Sequence, residues 1–302
     1  MTENPSSTPR PVDLRSGEWL EANRAQWDER VPIHVQSTFY DQSALREGAG
    51  QLTRIDEAEL ARLFPGKDGR FDLTGKRVLH LQCHFGADTL TLAQRGASVI
   101  GLDFSLPAVR EARKLAGEVG LADRSRFVAA NIYDARHALP EPDSFDLVFT
   151  TWGTIGWLPD VAEWARIVEW FLKPGGMLYF ADSHPSAQVF DADPDGGELP
   201  VFRYTYADDA PDVFDDTMDY ADENAVLENT RSWEWMHPLS KTFGALRDTG
   251  LTVDHLGEHD ELPWRMYPTL VPRGEGMFGW PDETWLPLAL TLVASKPNGD
   301  LS

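Results

Sequence analysis

A single cysteine, Cys83, stands in the 302 residues of this chain. One thiol excludes an internal disulfide framework and any multi-cysteine zinc site. Long apolar runs are equally scarce. No uncharged stretch approaches the about 20 residues that cross a bilayer, and the opening MTENPSSTPRPVD has no apolar leader, so a protein of the reducing cytoplasm is expected. Basic charge is thin, with 27 Lys and Arg against 49 Asp and Glu, a formal net charge of −22. Such a surplus repels phosphate backbones and anionic lipid, leaving a small neutral or cationic molecule as the expected partner rather than nucleic acid or membrane. Among eight histidines, His255 and His259 are four apart, but they fall in an expected strand and the loop after it. No metal site is expected.

Residues 1–17 are polar and proline-bearing and read as a disordered lead. Residues 18–73 read as a helical cap. Its first helix, from Glu18 to Arg30, is expected to stop at Val31-Pro32, because a proline pushes the preceding residue out of helical geometry. A second helix spans Asp56 to Phe64. Beyond Thr74 strands and helices alternate. Strands are expected at Arg77–Gln82, Ser98–Leu102, Arg126–Ala130, Phe145–Thr150 and Met177–Ala181, with helices at Asp88–Gln94, Leu106–Val119 and Asp160–Leu172 between them. Lys173-Pro174-Gly175-Gly176 is expected to end the last of these helices. The rhythm breaks over 183–237, where positions 191–223 carry twelve acids against one arginine. Aromatics two apart in Val201–Tyr206, and the run Leu227–Trp235, point to antiparallel strands in an inserted substrate lid. Helix Pro238–Thr249 and strands Leu251–Leu256 and Leu288–Ala294 complete the pattern. The expected fold is a Rossmann-like α/β domain, with a seven-stranded, mostly parallel sheet built from 74–182 and 238–302.

The chemistry concentrates in Val78–Ser105, VLHLQCHFGADTLTLAQRGASVIGLDFS. A strand enters a turn, the turn opens a helix, and the next strand ends in Asp103. Open parallel sheets bind ligands beyond the carboxyl ends of their strands, and an acid there can accept hydrogen bonds from both hydroxyls of a ribose. An adenosine-containing cofactor fits. A dinucleotide needs several glycines to let a diphosphate approach, whereas Gln82-Cys83-His84-Phe85-Gly86 has one. A cofactor charged at sulfur rather than phosphorus tolerates the bulkier loop, which favours S-adenosylmethionine over a nicotinamide or flavin dinucleotide.

The segment resembles the class I S-adenosylmethionine-dependent methyltransferases, whose first motif is typically VLDLGCGxG with the ribose-binding acid 17 residues after the last glycine. Gly86 and Asp103 stand at that spacing. Asn131 in FVAANIYDA, then FDLVFTT, LKPGG and the closing LTLVASKP follow in the family's order. The motif departs at His80, Gln82 and His84. This HLQCHFG form resembles a bacterial small-molecule subgroup often opened by a segment like Trp27-Asp28-Glu29-Arg30-Val31. The resemblance implies that Asp103 takes the ribose hydroxyls and that Phe104 and Ile132 flank the adenine. It places Asn131 near the adenine amino group, lets Gly86 admit the cofactor, and has Thr150 hold the amino-acid tail. Gln82 and His84 fall beside the cofactor.

A methyl acceptor that keeps its proton needs a base. By location the candidates are His34 and Tyr40 in VPIHVQSTFY, His184 after the fifth strand, and Glu234 and His237 in SWEWMHP; His184 and His237 rank first because they flank the expected crevice. His80, between Leu79 and Leu81, reads as a core histidine as readily as a ligand contact, and Cys83 as a buried filler. Eleven tryptophans, with Trp152, Trp157, Trp233 and Trp235 near the expected acceptor side, point to an aromatic or indole-type acceptor in specialised metabolism. A nicotinamide-dependent oxidoreductase and a catalytically silent cofactor-binding protein are the alternative readings.

Overall fold

A computed structural model describes residues 12–299 other than 208, 223, 283 and 285, and at 68 the backbone alone. Most of the expected disordered lead, residues 1–11, lies outside the described residues. Three helices come first: α1 (Glu18–Gln36), α2 (Ser43–Arg46) and α3 (Arg54–Leu63). The alternating region follows as β1 (Arg77–Leu81), α4 (Ala87–Gln94), β2 (Ser98–Asp103), α5 (Leu106–Glu118), β3 (Ser125–Ala129), α6 (Ala135–Ala138), β4 (Phe145–Thr151), α7 (Val161–Phe171) and β5 (Leu172–Ser183). Short strands β6 (Phe190–Asp191), β7 (Val201–Phe202), β8 (Asp212–Asp215) and β9 (Arg231–Glu234) precede α8 (Leu239–Asp248) and β10 (Thr252–His259). Then come β11 (Glu261–Leu262), β12 (Val271–Gly274), β13 (Met277–Gly279) and β14 (Ala289–Ser295).

Seven strands form the main sheet in the order β10-β14-β5-β4-β1-β2-β3. Pairing is parallel from β5 through β3, and β14 alone runs antiparallel to both its neighbours. The Rossmann-like expectation therefore holds. Both faces are apolar, as a sheet covered on two sides requires. Leu79, Leu81, Ile100 and Leu102 pack with Trp164, Ile167 and Val168 of α7 on one face. Val78, Val99 and Leu147 meet Leu60 of α3 and Leu92 of α4 on the other.

Helix boundaries follow local capping chemistry. The Ser105 hydroxyl accepts from the Ala108 N–H, and the Asp160 carboxylate accepts from the Glu163 N–H. Thr53 and Asp56 form a reciprocal capping box at the start of α3.

Some expectations are corrected. Helix α1 runs through Pro32 to Gln36 instead of stopping at Val31. Pro32 sits on the exposed side, while Val31 and His34 beside it are buried, so packing of the last turns outweighs the lost backbone hydrogen bond. The break expected at Lys173–Gly176 lies inside β5, as an irregularity in register between the Phe145–Leu172 and Leu147–Met177 pairs. The 183–237 segment does pair antiparallel, but in two small ribbons, β6–β7 and β8–β9, far shorter than the runs read from sequence. A three-stranded sheet, β11-β13-β12, lies between β10 and β14 where no element was expected. Its strands are too short to show alternation.

Candidate functional site at the β1–β2 edge

The loop after β1 is bent by three left-handed residues: Gln82 at φ 56, His84 at φ 52 and Gly86 at φ 80. Glycine takes this conformation freely, while a side chain there costs about 1–2 kcal/mol, so Gln82 and His84 hold a strained backbone. Asp103, 7 % exposed, braces it. One carboxylate oxygen accepts the His84 N–H at 2.8 Å and the other the Ser105 N–H at 2.9 Å. Burial pushes this carboxyl up to about 6, with Asp28 adding to the rise against the pull of the backbone N–H groups. Gly86 serves packing: a Cβ there would lie 2.6 Å from the Phe127 ring and 2.9 Å from the Ala112 methyl.

Around this loop several buried oxygens lack partners. Gln82 donates its amide to the Thr154 carbonyl at 2.8 Å, but its Oε1 is buried and unpaired. The hydroxyl of fully buried Thr150, at the end of β4, is unpaired as well, and so is one oxygen of Asp28. Buried polar atoms without partners are uncommon in proteins. Gln82 follows β1, Thr150 lies at the end of the adjacent β4, and Asp103 ends β2 on the other side of β1.

Not every expected contact is free. The Asn131 amide donates to the Leu14 carbonyl at 2.8 Å and accepts from the Tyr133 N–H at 3.2 Å. It thus ties the chain before α1 to the β3 edge, helped by an Arg15–Asp134 ion pair. Ile132 is buried in the core and Phe104 packs partly against it. His80 is the satisfied core histidine of the two readings: Nδ1 lies 2.8 Å from the Thr89 hydroxyl, and burial pushes the ring down to about 3. Cys83 is buried beneath Gly101, and burial drives its thiol up.

The base candidates separate into two groups. His34 and Tyr40 meet at the loop after β1. His34 Nδ1 is 3.3 Å from His84 Nε2, and the Tyr40 ring stacks on His34 at 4.8 Å. Trp27 packs edge-on against His34, His84 and Trp157. The Tyr40 hydroxyl contacts that of Tyr220 at 2.5 Å. His184, Glu234 and His237 have other neighbours. His184 Nδ1 is 3.1 Å from the Ser186 N–H and 2.5 Å from its hydroxyl. His237 Nε2 donates to the Leu158 carbonyl at 2.7 Å, and His237 lines a small cleft with Phe180, Ser183, Gln188 and Trp235. Burial pushes Glu234 up to about 7 and His237 down to about 4.

Two participants escaped the sequence reading. Asp219 accepts from His34 Nε2 at 3.0 Å, both side chains fully buried, and Arg30 approaches the same carboxylate at 3.8 Å. Arg30 had a signal, since 27, 30 and 34 share one helical face. Asp219 had none, being one acid in a run of twelve. Among the described residues no group of three or more potential metal ligands gathers.

Residues 78–176, about a third of the chain, match the family described as methyltransferase domain. A ubiquinone biosynthesis O-methyltransferase of Ralstonia nicotianae is 36% identical over 118 residues, 39% of this chain and 48% of that protein. Its Pseudomonas aeruginosa counterpart is 34% identical over 125 residues, 41% of this chain and 52% of the other. The chain spans about half the length of these curated relatives. An S-adenosylmethionine-dependent methyltransferase structure from Mesorhizobium loti superposes with a TM-score of 0.52 at 22% identity, covering 80% of this chain and 97% of that one. A Listeria monocytogenes structure described in the same terms gives 0.56 at 21%, covering 83% and 98%. Residues 78–176 are thus similar to the methyltransferase-domain family, and the likeness to the two solved structures is one of fold, a seven-stranded, mostly parallel sheet. Both of those structures are named for S-adenosylmethionine.

Proposed function

We propose that this chain transfers a methyl group from S-adenosylmethionine to a small acceptor. The observation that carries the reading is Asp103 at the end of β2, bracing a strained loop, with buried oxygens unpaired among the described residues on Gln82 of that loop and on Thr150 at the end of β4. Asp103 would take the ribose hydroxyls, and Gln82 and Thr150 the polar groups of the amino-acid end. Phe104, Ile132 and Asn131 would border the adenine, with His84 at the methyl side. The bound cofactor supplies a methyl on a sulfonium, so the protein's share is alignment, exclusion of water and removal of the acceptor proton.

Acceptor chemistry is a finer part of the proposal. The ring cluster of Trp27, Tyr40, Trp157 and Tyr220 supports a flat aromatic acceptor. The relatives' name, O-methyltransferase, supports oxygen as the methylated atom, and their names do not speak for an indole or for specialised metabolism. The segment between β5 and α8 would act as the lid, in a cytoplasmic enzyme. A nicotinamide dinucleotide is disfavoured because Gln82 and His84 stand where a diphosphate needs bare backbone. The test is calorimetry with S-adenosylhomocysteine and with NAD, then a screen of phenols, aromatic amines and indoles with labelled cofactor, read by mass spectrometry. Binding of S-adenosylhomocysteine and a gain of one methyl are expected. Tight NAD binding without S-adenosylhomocysteine binding overturns the reading.

A further inference from the structure

We propose that Asp219, His34 and His84 form a proton relay in which His84 Nδ1 is the base toward the acceptor and Asp219 is a positioning residue. The proposal rests on the methyl-transfer reading and deepens it. Its geometry is a chain of contacts: Asp219 to His34 Nε2 at 3.0 Å, then His34 Nδ1 to His84 Nε2 at 3.3 Å.

The tautomers follow from Asp219. Burial pushes its carboxyl up, but the His34 hydrogen bond, the Ala221 N–H and Arg30 outweigh that and leave it below the usual carboxylate range. An ionised carboxylate only accepts, so His34 carries its hydrogen on Nε2. Burial keeps His34 neutral near pH 7, which leaves Nδ1 as a lone pair. His84 must therefore donate from Nε2. Burial and then His34 hold His84 well below its ordinary value, so it is neutral and its Nδ1 is bare. That nitrogen makes no hydrogen bond among the described residues.

Backbone strain is an independent observation. His84 keeps a left-handed conformation at φ 52, in a position where glycine would be free of penalty. Such strain persists where the surrounding structure holds it for a purpose, and here it places the imidazole against His34 and Trp27. In the step, the acceptor O–H (or N–H) bond breaks with its electron pair left on the heteroatom. The proton goes to His84 Nδ1, and the Nε2 proton of His84 goes to His34 Nδ1. The heteroatom pair forms the new bond to the methyl carbon as the C–S pair stays on sulfur. His34 ends as an imidazolium beside Asp219, where its buried charge is compensated. Asp219 lies in the segment between β5 and α8, so the base is armed only when that segment is docked.

The relay is faced by Arg30, Tyr40, Asp219 and Tyr220, with Asp88 acting on Tyr40 and Asp103 holding the His84 N–H. The test uses the full chain labelled with 15N-histidine. Two-bond 1H–15N spectra near pH 7 should show His34 and His84 both protonated at Nε2. His84→Asn keeps a residue that tolerates the left-handed backbone. With an acceptor from the screen, it should lower kcat by about 10²-fold with KM for cofactor within threefold. Asp219→Asn should lower kcat and shift the acid limb of its pH profile to lower pH, with recovery in Asp219→Glu. His84 protonated at Nδ1, or an unaltered pH profile in Asp219→Asn, overturns the relay. Failure of S-adenosylhomocysteine to bind would instead sink the methyl-transfer reading, and the tautomers would be read regardless.

Discussion

Replacing Gly86 with alanine separates packing from cofactor access at the first loop. The backbone there is left-handed at φ 80, which costs an alanine about 1–2 kcal/mol. The new methyl would also meet the Phe127 ring at 2.6 Å and the Ala112 methyl at 2.9 Å, in a cluster where both are buried. Neither is the far end of a flexible chain, so the overpacking adds about 1–3 kcal/mol. Gly86→Ala should therefore lose about 2–5 kcal/mol of unfolding free energy without any ligand, read from the urea midpoint at unchanged slope. Trimming the ring in Phe127→Leu removes the shortest contact, so the double variant should lose less than the sum of the singles. If the glycine serves only to admit the cofactor, Gly86→Ala will unfold like the parent and lose S-adenosylhomocysteine affinity alone. That result would refute the packing argument.

The other predictions concern buried acids. Asp103→Ala should weaken S-adenosylhomocysteine binding by about 10²-fold or more, since charge-assisted hydrogen bonds contribute about 1.5–3 kcal/mol each; calorimetry with unchanged far-ultraviolet dichroism checks it. In the parent protein, affinity should fall as pH drops through about 6, where the Asp103 carboxylate takes up its proton. A flat affinity between pH 8 and 5 would remove Asp103 from the ribose. Glu234 is raised to about 7 from an ordinary 4.5. Its folded form holds the proton more tightly than the unfolded chain, so stability falls as pH rises between those values. Glu234→Gln should match the parent below pH 4.5 and be more stable by about 1–3 kcal/mol at pH 8, read by denaturant titration.

Much of the architecture was legible because its causes are local. Alternating apolar strands, the caps at Ser105 and Asp160, and the 17 residues from Gly86 to Asp103 need only neighbours a few positions apart. The misreadings arose where tertiary packing overrode a local rule. Pro32 was carried inside a helix by buried Val31 and His34, and the ribbons beyond β5 were trimmed to two to four residues. Among the five base candidates, only folding shows that His34 meets His84 in the loop after β1, while His237 bonds the Leu158 carbonyl.

By itself the amino-acid order determined the doubly covered parallel sheet and the acid at the end of its second strand. Folding alone decided which side chains meet over that acid. His34 and His84 are 50 positions apart and His34 and Asp219 are 185 apart, joined by crossovers whose path no local pattern encodes. The same holds for the left-handed turn at Gln82 and His84. Its strain is held by a carboxylate 19 residues from His84, and such a brace exists only once β1 and β2 lie side by side.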